Sequence, residues 1–186
     1  TKTDGTDQVV YYRATEKDPF VEYMRTGFKD SWSPLMFTFD NANLIVSHNL
    51  NGRDKTAIVE WDLAGKKETK LIFEDKDYDV SNIDYSRKRK VLTMVTWTGW
   101  KEERHILDDV TKGLYDKLAA KFEGYDYWIY GENDEETKFM VWAGNDRQPG
   151  KYYFYDATAD KLEEVATLRP RINEEQIAEL KPSTHT

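Results

Sequence analysis

Cysteine is absent from this chain, which removes disulfides, thiolate metal sites and a cysteine nucleophile and leaves the redox compartment open. Histidine is scarce: a serine-hydrolase triad needs a His base, and only His48, His105 and His185 exist. The glycines stand at 5, 27, 52, 65, 99, 113, 124, 131, 144 and 150, no two of them four apart. The G-x-S-x-G elbow of a serine hydrolase, whose strained turn tolerates only small neighbours, is therefore missing. No H-E-x-x-H occurs, which excludes a zincin. No apolar run approaches the roughly 18 residues of a membrane span. The opening TKTDGTDQVV has no Met and neither the basic nor the apolar stretch of a signal peptide, a start expected of an excised or processed piece. Positive charge is short as well. A net charge of −8 argues against nucleic acid and anionic membrane, since phosphate binding needs a basic surface. The only basic cluster, SRKRK ending at Lys90, lies between two apolar segments and reads as a solvated hairpin tip.

What the chain does have is aromatic residues, 14% of the total with 6 Trp and 12 Tyr among 186 residues, a composition suited to strands. These recur in a repeat. AIVEWDLAGKKETKLIF (57–73) and YYFYDATADKLEEVA (152–166) share an apolar strand, an aromatic-Asp pair, a short turn and a second strand. Leu107-Asp108 holds the same place between them, so the marker residues Asp62, Asp108 and Asp156 are 46 and 48 residues apart. An all-strand repeat of about 40–50 residues is the pattern of a β-propeller blade, a four-stranded meander. Residues 33–74, 80–122 and 125–168 each fit one blade, and 7–26 fits the last two strands of another. The links DNAN, SRKRK and NDEE are short and turn-rich, as meander hairpins require.

Two segments depart from strand periodicity. TKGLYDKLAAKF places Leu114, Leu118 and Phe122 on one helical face, where the outer strand of the second blade would come, and a short helix covering that edge is predicted. RINEEQIAEL combines Asn173 and Gln176 as a near capping box with Ile172 and Ile177 as a staple, which predicts an exit helix within 171–182. The run Tyr152-Tyr153-Phe154-Tyr155 does not alternate. Burial of both faces between neighbouring blades accounts for that, with Asp156 ending the strand. The expected fold is all-β, one domain over 1–186. It is a partial β-propeller of about three and a half four-stranded blades with one or two short helices.

The segments SPLMFTFDNANLIVSHNLNGRDKTAIVEWD, NDRQPGKYYFYD and LRPRINEEQIAELKP together resemble the propeller of the prolyl oligopeptidase family of serine peptidases. The nearest branch is that of the bacterial dipeptidyl aminopeptidase and acylaminoacyl-peptidase-like enzymes. The likeness rests on Ser33-Pro34-Leu35, Gly52-Arg53-Asp54 and Trp61-Asp62, in that order. It implies a propeller that gates and orients short peptides for a C-terminal α/β-hydrolase domain, which the chain itself lacks. It also implies a soluble protein of a bacterial periplasm or cytoplasm, without catalytic residues or cofactor of its own. Two other classes remain open: a stand-alone propeller that grips a protein partner, and a fragment of a propeller glycosidase.

Candidate sites are few. Asn51-Gly52 reads as the φ > 0 pair of a tight hairpin, and Arg53 beside it is the one substrate-binding candidate, able to hold a peptide carboxylate with both guanidinium arms. His48 and His105 read as structural and His185 as part of a terminal tail. Asp75, Asp77 and Asp79 have calcium-loop spacing, but Val80 stands where such a loop needs Gly, so the stretch reads as a solvated acidic loop. No metal is expected. An incomplete propeller leaves blade faces and strand edges exposed, which predicts a homodimer through those faces.

Overall fold

The structure is a computed structural model that describes residues 2–171 together with 177 and 178. Its described part is mostly β. Four antiparallel sheets follow one another along the chain. The first contains β1 (Lys2–Asp4), β2 (Asp7–Tyr12) and β3 (Val21–Thr26). The second is a meander of β4 (Trp32–Phe37), β5 (Leu44–His48), β6 (Ala57–Asp62) and β7 (Lys67–Phe73). The third has β8 (Asn82–Ser86), β9 (Val91–Thr98) and β10 (Glu102–Ile106). After helix α1 (Asp109–Lys121) comes a second four-stranded meander, β11 (Asp126–Glu132), β12 (Lys138–Gly144), β13 (Lys151–Asp156) and β14 (Lys161–Thr167). The chain divides into two compact units, Thr1–Ser86 with Lys90–Leu107 and Arg87–Arg89 with Asp108–Thr186. Among the described residues no helix is long and apolar enough to cross a membrane.

In the first unit the inner strands of the second sheet, β5 and β6, have no wet face. Leu44, Val46, Ala57, Val59 and Trp61 point to one side and pack with Val10 and Tyr23 of the first sheet. Ile45 and Ile58 point to the other and pack with Val80 and Val95, the latter from the third sheet. Side chains alternate across a strand, so two apolar neighbours require two cores and the alternation disappears. Every residue of β5 is buried. A chain of rings runs through the first of these cores, Tyr12–Tyr23 at 5.8 Å, Tyr23–Trp32 at 5.7 Å and Trp32–Trp61 at 5.5 Å.

The marker aspartates behave as turn residues. Asp62 Oδ1 accepts from Ala64 N at 3.0 Å and Gly65 N at 2.9 Å. Asp156 Oδ1 accepts from Thr158 N at 2.9 Å and Ala159 N at 3.0 Å. Four residues after each, Lys66 and Asp160 have φ of 51° and 52° and lead into the fourth strand. Asp108 makes the same two bonds, to Val110 N and Thr111 N, but as the N-cap of α1. The residues beyond it follow a helical period, so the aspartate that starts an outer strand twice here starts a helix.

Several expectations change. α1 buries Leu118 and Phe122 with Phe139, Val141, Ala143 and Tyr155, with Leu114 packed alongside. The predicted helical face is present, but its core is that of the fourth sheet, since Tyr155 and Val141 supply the apolar surface it needs. The aromatic run of β13 is core on one face only. Tyr153 and Tyr155 join that cluster, while Tyr152 and Phe154 are half-buried outside it. On that other face the Trp142 indole occupies the space a Cβ on Gly150 would need, 2.1 Å from its position, and Gly150 has φ +116°. The Tyr155 hydroxyl donates to Asp160 at 2.6 Å. The N-terminal segment has a short strand β1 paired to β2 in addition to the expected two. The predicted exit helix over 171–182 falls almost wholly outside the described residues.

Replacing Asp62 or Asp156 by Ala is expected to cost about 1 kcal/mol each, the net worth of a solvent-side hydrogen bond, with Asn largely restoring it. Because the two turns share no partner, the double variant should lose the sum. Urea unfolding measures both; an unchanged midpoint would remove the aspartates from the turn mechanism.

Candidate functional site

The loop of residues 49–56 between β5 and β6 is built by its own sequence. Asn51 and Gly52 have φ of 65° and 81°, the left-handed pair expected of a tight turn. Its ends are tied down, at Asn49, whose Oδ1 accepts from Ser31 N at 2.7 Å, and at Thr56, whose N–H donates to Asp79 Oδ1 at 2.8 Å. Arg53 leaves this loop and meets β7. Its Nη1 and Nη2 donate to Glu68 Oε2 at 2.6 Å and Oε1 at 2.9 Å, and its Nε lies 3.4 Å from Glu74 Oε2. The bidentate geometry anticipated for Arg53 is present, but the carboxylate it holds belongs to its own sheet.

Beneath this pair lies His48, at the end of β5 and fully buried. Its Nδ1 accepts from the Leu50 amide at 3.0 Å, so the ring hydrogen sits on Nε2 and the ring is neutral. Nε2 is 3.3 Å from Glu68 Oε2 but makes no well-aligned hydrogen bond; the carboxylate approaches off the N–H axis. The imidazole stands edge-on to Trp61 at 5.4 Å, and Trp61 Nε1 donates to the Tyr23 hydroxyl at 3.1 Å. Asn51, Arg53, Glu68, Thr69, Lys70 and Leu71 line a shallow, open groove of about 490 Å³ over the cluster.

The charges tune one another. Hydrogen bonds from Arg53 hold the Glu68 carboxyl below its ordinary range despite partial burial. The same bonds raise the Arg53 guanidinium. Burial pushes the His48 imidazole down, and outweighs the nearby Glu68 carboxylate, which acts the other way. A buried ring wins over a contact of poor alignment because desolvation of the cation is the larger cost. The cluster can position a loop and present a polar groove, and the two nitrogens of His48 face the Leu50 amide and Glu68.

The remaining sequence candidates fall elsewhere. His105 is exposed and stacks on Phe73 at 4.6 Å. His185 lies outside the described residues. Asp75 caps its own turn, accepting from Asp77 N and Tyr78 N, while Asp79 holds Thr56. Among the described residues no group of three or more His, Asp or Glu side chains converges on a metal position. The SRKRK cluster is more than a solvated tip. Arg89 is half-buried and bonds Asp108, Thr111 Oγ1 at 3.1 Å and Glu136 Oε2 at 3.3 Å, and Lys88 Nζ pairs with Glu135 at 2.9 Å. Sequence reading missed Glu68 and Glu136 because each lies far along the chain from its arginine and nothing in the local pattern marks it. The sequence matches no family model and no curated protein.

Arg53→Ala strands a partly buried carboxylate and is expected to cost about 1–3 kcal/mol, as for hydrogen bonds to charged groups. Glu68 has a lowered folded pKa, so its contribution is complete above the ordinary carboxyl value and is lost as pH falls through the folded one. The stability gap between wild type and Arg53→Ala should therefore be constant near neutrality and shrink below about pH 4.5. Urea titrations across pH check this, and a gap that persists into strong acid would show that charge pairing is not its source.

Proposed function

We propose that the chain is the non-catalytic propeller region of a serine peptidase of the prolyl oligopeptidase type, gating and orienting short peptides for a following α/β-hydrolase domain. The observation that carries this reading is the tandem meander. β4–β7 and β11–β14 each run through four strands in order, and each turns from third to fourth strand on an aspartate. Such units are what propeller blades are made of. Counting the three-stranded sheets with them supports about three and a half blades. The peptidase branch rests on Ser33-Pro34-Leu35, Gly52-Arg53-Asp54 and Trp61-Asp62 standing in the family's order. The lack of a G-x-S-x-G elbow and the engagement of His48 by the backbone fit a region without catalysis of its own. Arg53 serves this reading as the residue that shapes the loop over the polar groove, because its guanidinium already holds Glu68. Exposed blade faces pair as a homodimer in the same reading.

The isolated protein is expected to show no turnover of aminoacyl-nitroanilides, and turnover abolished by a serine-directed inhibitor would overturn the reading. The coding sequence beyond Thr186 is expected to contain G-x-S-x-G followed by an Asp and a His. A stop codon there would favour a stand-alone binding module instead. A monomeric mass in dilute sedimentation would remove the homodimer.

A further inference from the structure

We infer that His48 is a proton-operated latch on the loop of residues 49–56, whose closure over the polar groove and proton uptake by the ring exclude each other. This goes beyond the peptidase reading and does not depend on it. The two ring nitrogens have different partners. Leu50 N–H points into Nδ1 at 3.0 Å, so Nδ1 carries no hydrogen and Nε2 carries the only one. A second proton has a single place to go, Nδ1, where the Leu50 hydrogen already stands. Two donors cannot share that space, so protonation breaks the bond that holds the loop to β5.

The surroundings favour a discrete response. The ring is sealed from solvent, so a proton reaches it only when the loop opens. The groups that face it are Glu68 from β7, Arg53 from the loop itself and the Trp61 ring from β6. Glu68 attracts an imidazolium and is the partner Arg53 relies on; Arg53 repels one. A proton on His48 therefore draws Glu68 toward Nε2, weakens the bidentate Arg53 pair and repels the guanidinium, all three acting to release the loop. Asn51 and Gly52, both with φ > 0, form the turn of the loop, and the anchors at Asn49 and Thr56 confine its release to the residues between them. The loop returns when the proton leaves. Burial already disfavours the charged ring, so the closed loop is complete above the ordinary histidine value of 6.5. It loses ground as pH falls below that, because the open state takes the proton first.

Hydrogen exchange on the whole chain, corrected for the pH dependence of intrinsic rates, tests the latch. Between pH 7.5 and 5.0 the Leu50 amide, the one in the loop that bonds the ring, is expected to lose about tenfold or more in protection, the free-energy equivalent of one pH unit of linkage, while the amides of β6 hold theirs. His48→Gln offers an oxygen to Leu50 and an N–H to Glu68 but cannot titrate, and its Leu50 amide should be equally protected at both pH values. Equal protection of the wild-type Leu50 amide at both pH values overturns the latch, as does an undiminished pH response in His48→Gln. Should that variant not fold, the wild type labelled at histidine decides by NMR. His48 titrating together with loss of the Leu50 amide signal supports the latch. A ring that titrates with Leu50 undisturbed, or that does not titrate before the protein unfolds, refutes it.

Discussion

The inner strands β5 and β6 of the second sheet have to be dry on both faces, and the packing of the first unit around them follows from that. β5 and β6 carry apolar side chains in both directions, so one core forms on each side of the sheet. Burial of a Val, Ile or Leu side chain contributes about 1.5–3 kcal/mol. Ile45, Val46, Ile58 and Val59 supply such terms on opposite faces. Neither neighbour can be removed without returning half of this sheet to water. The aromatic chain from Tyr12 to Trp61 runs through one core with rings at tilted or edge-on angles, the arrangements their quadrupoles favour.

A sheet buried on both sides must also satisfy whatever polar groups it carries, since an unpaired polar group in a dry place is costly. Ser47 donates to Val80 O at 2.8 Å. His48 is neutral and accepts the Leu50 amide. The loop that covers this end therefore has its path set from below by His48 and from the side by the Arg53–Glu68 pair. The groove above is a by-product of that path, and the polarity of its lining comes from groups first required to close the sheet. The second unit meets the same demand differently. There a helix, capped by Asp108, supplies one of the two covers, and the outward half of the β13 aromatics stays half-exposed.

Much of this was legible in the residues. Asp62, Asp156 and the Asn51-Gly52 pair sit in the turns expected of them, and the helical face of Leu114, Leu118 and Phe122 forms. Each depends on groups within a few positions in the chain, where side-chain chemistry and backbone preference act directly. The readings that changed concern partners. Arg53 looked free because Glu68 lies 15 residues away, and Arg89 looked solvated because Glu136 lies 47 away. The candidate site was partly legible: its loop and its arginine stood out and His48 read as structural, which its burial bears out, but the carboxylate that joins them did not.

By itself the sequence determined where strands end, where the chain turns and where a helix replaces a strand, because turn bonds, caps and periodicity are local. Only the tertiary structure decided which face of Tyr152–Tyr155 is core, which carboxylate occupies Arg53 and which nitrogen of His48 carries the hydrogen. Those outcomes turn on which atoms a fold brings within about 3 Å, the reach of a hydrogen bond, and proximity of that kind is a property of packed sheets rather than of neighbouring residues.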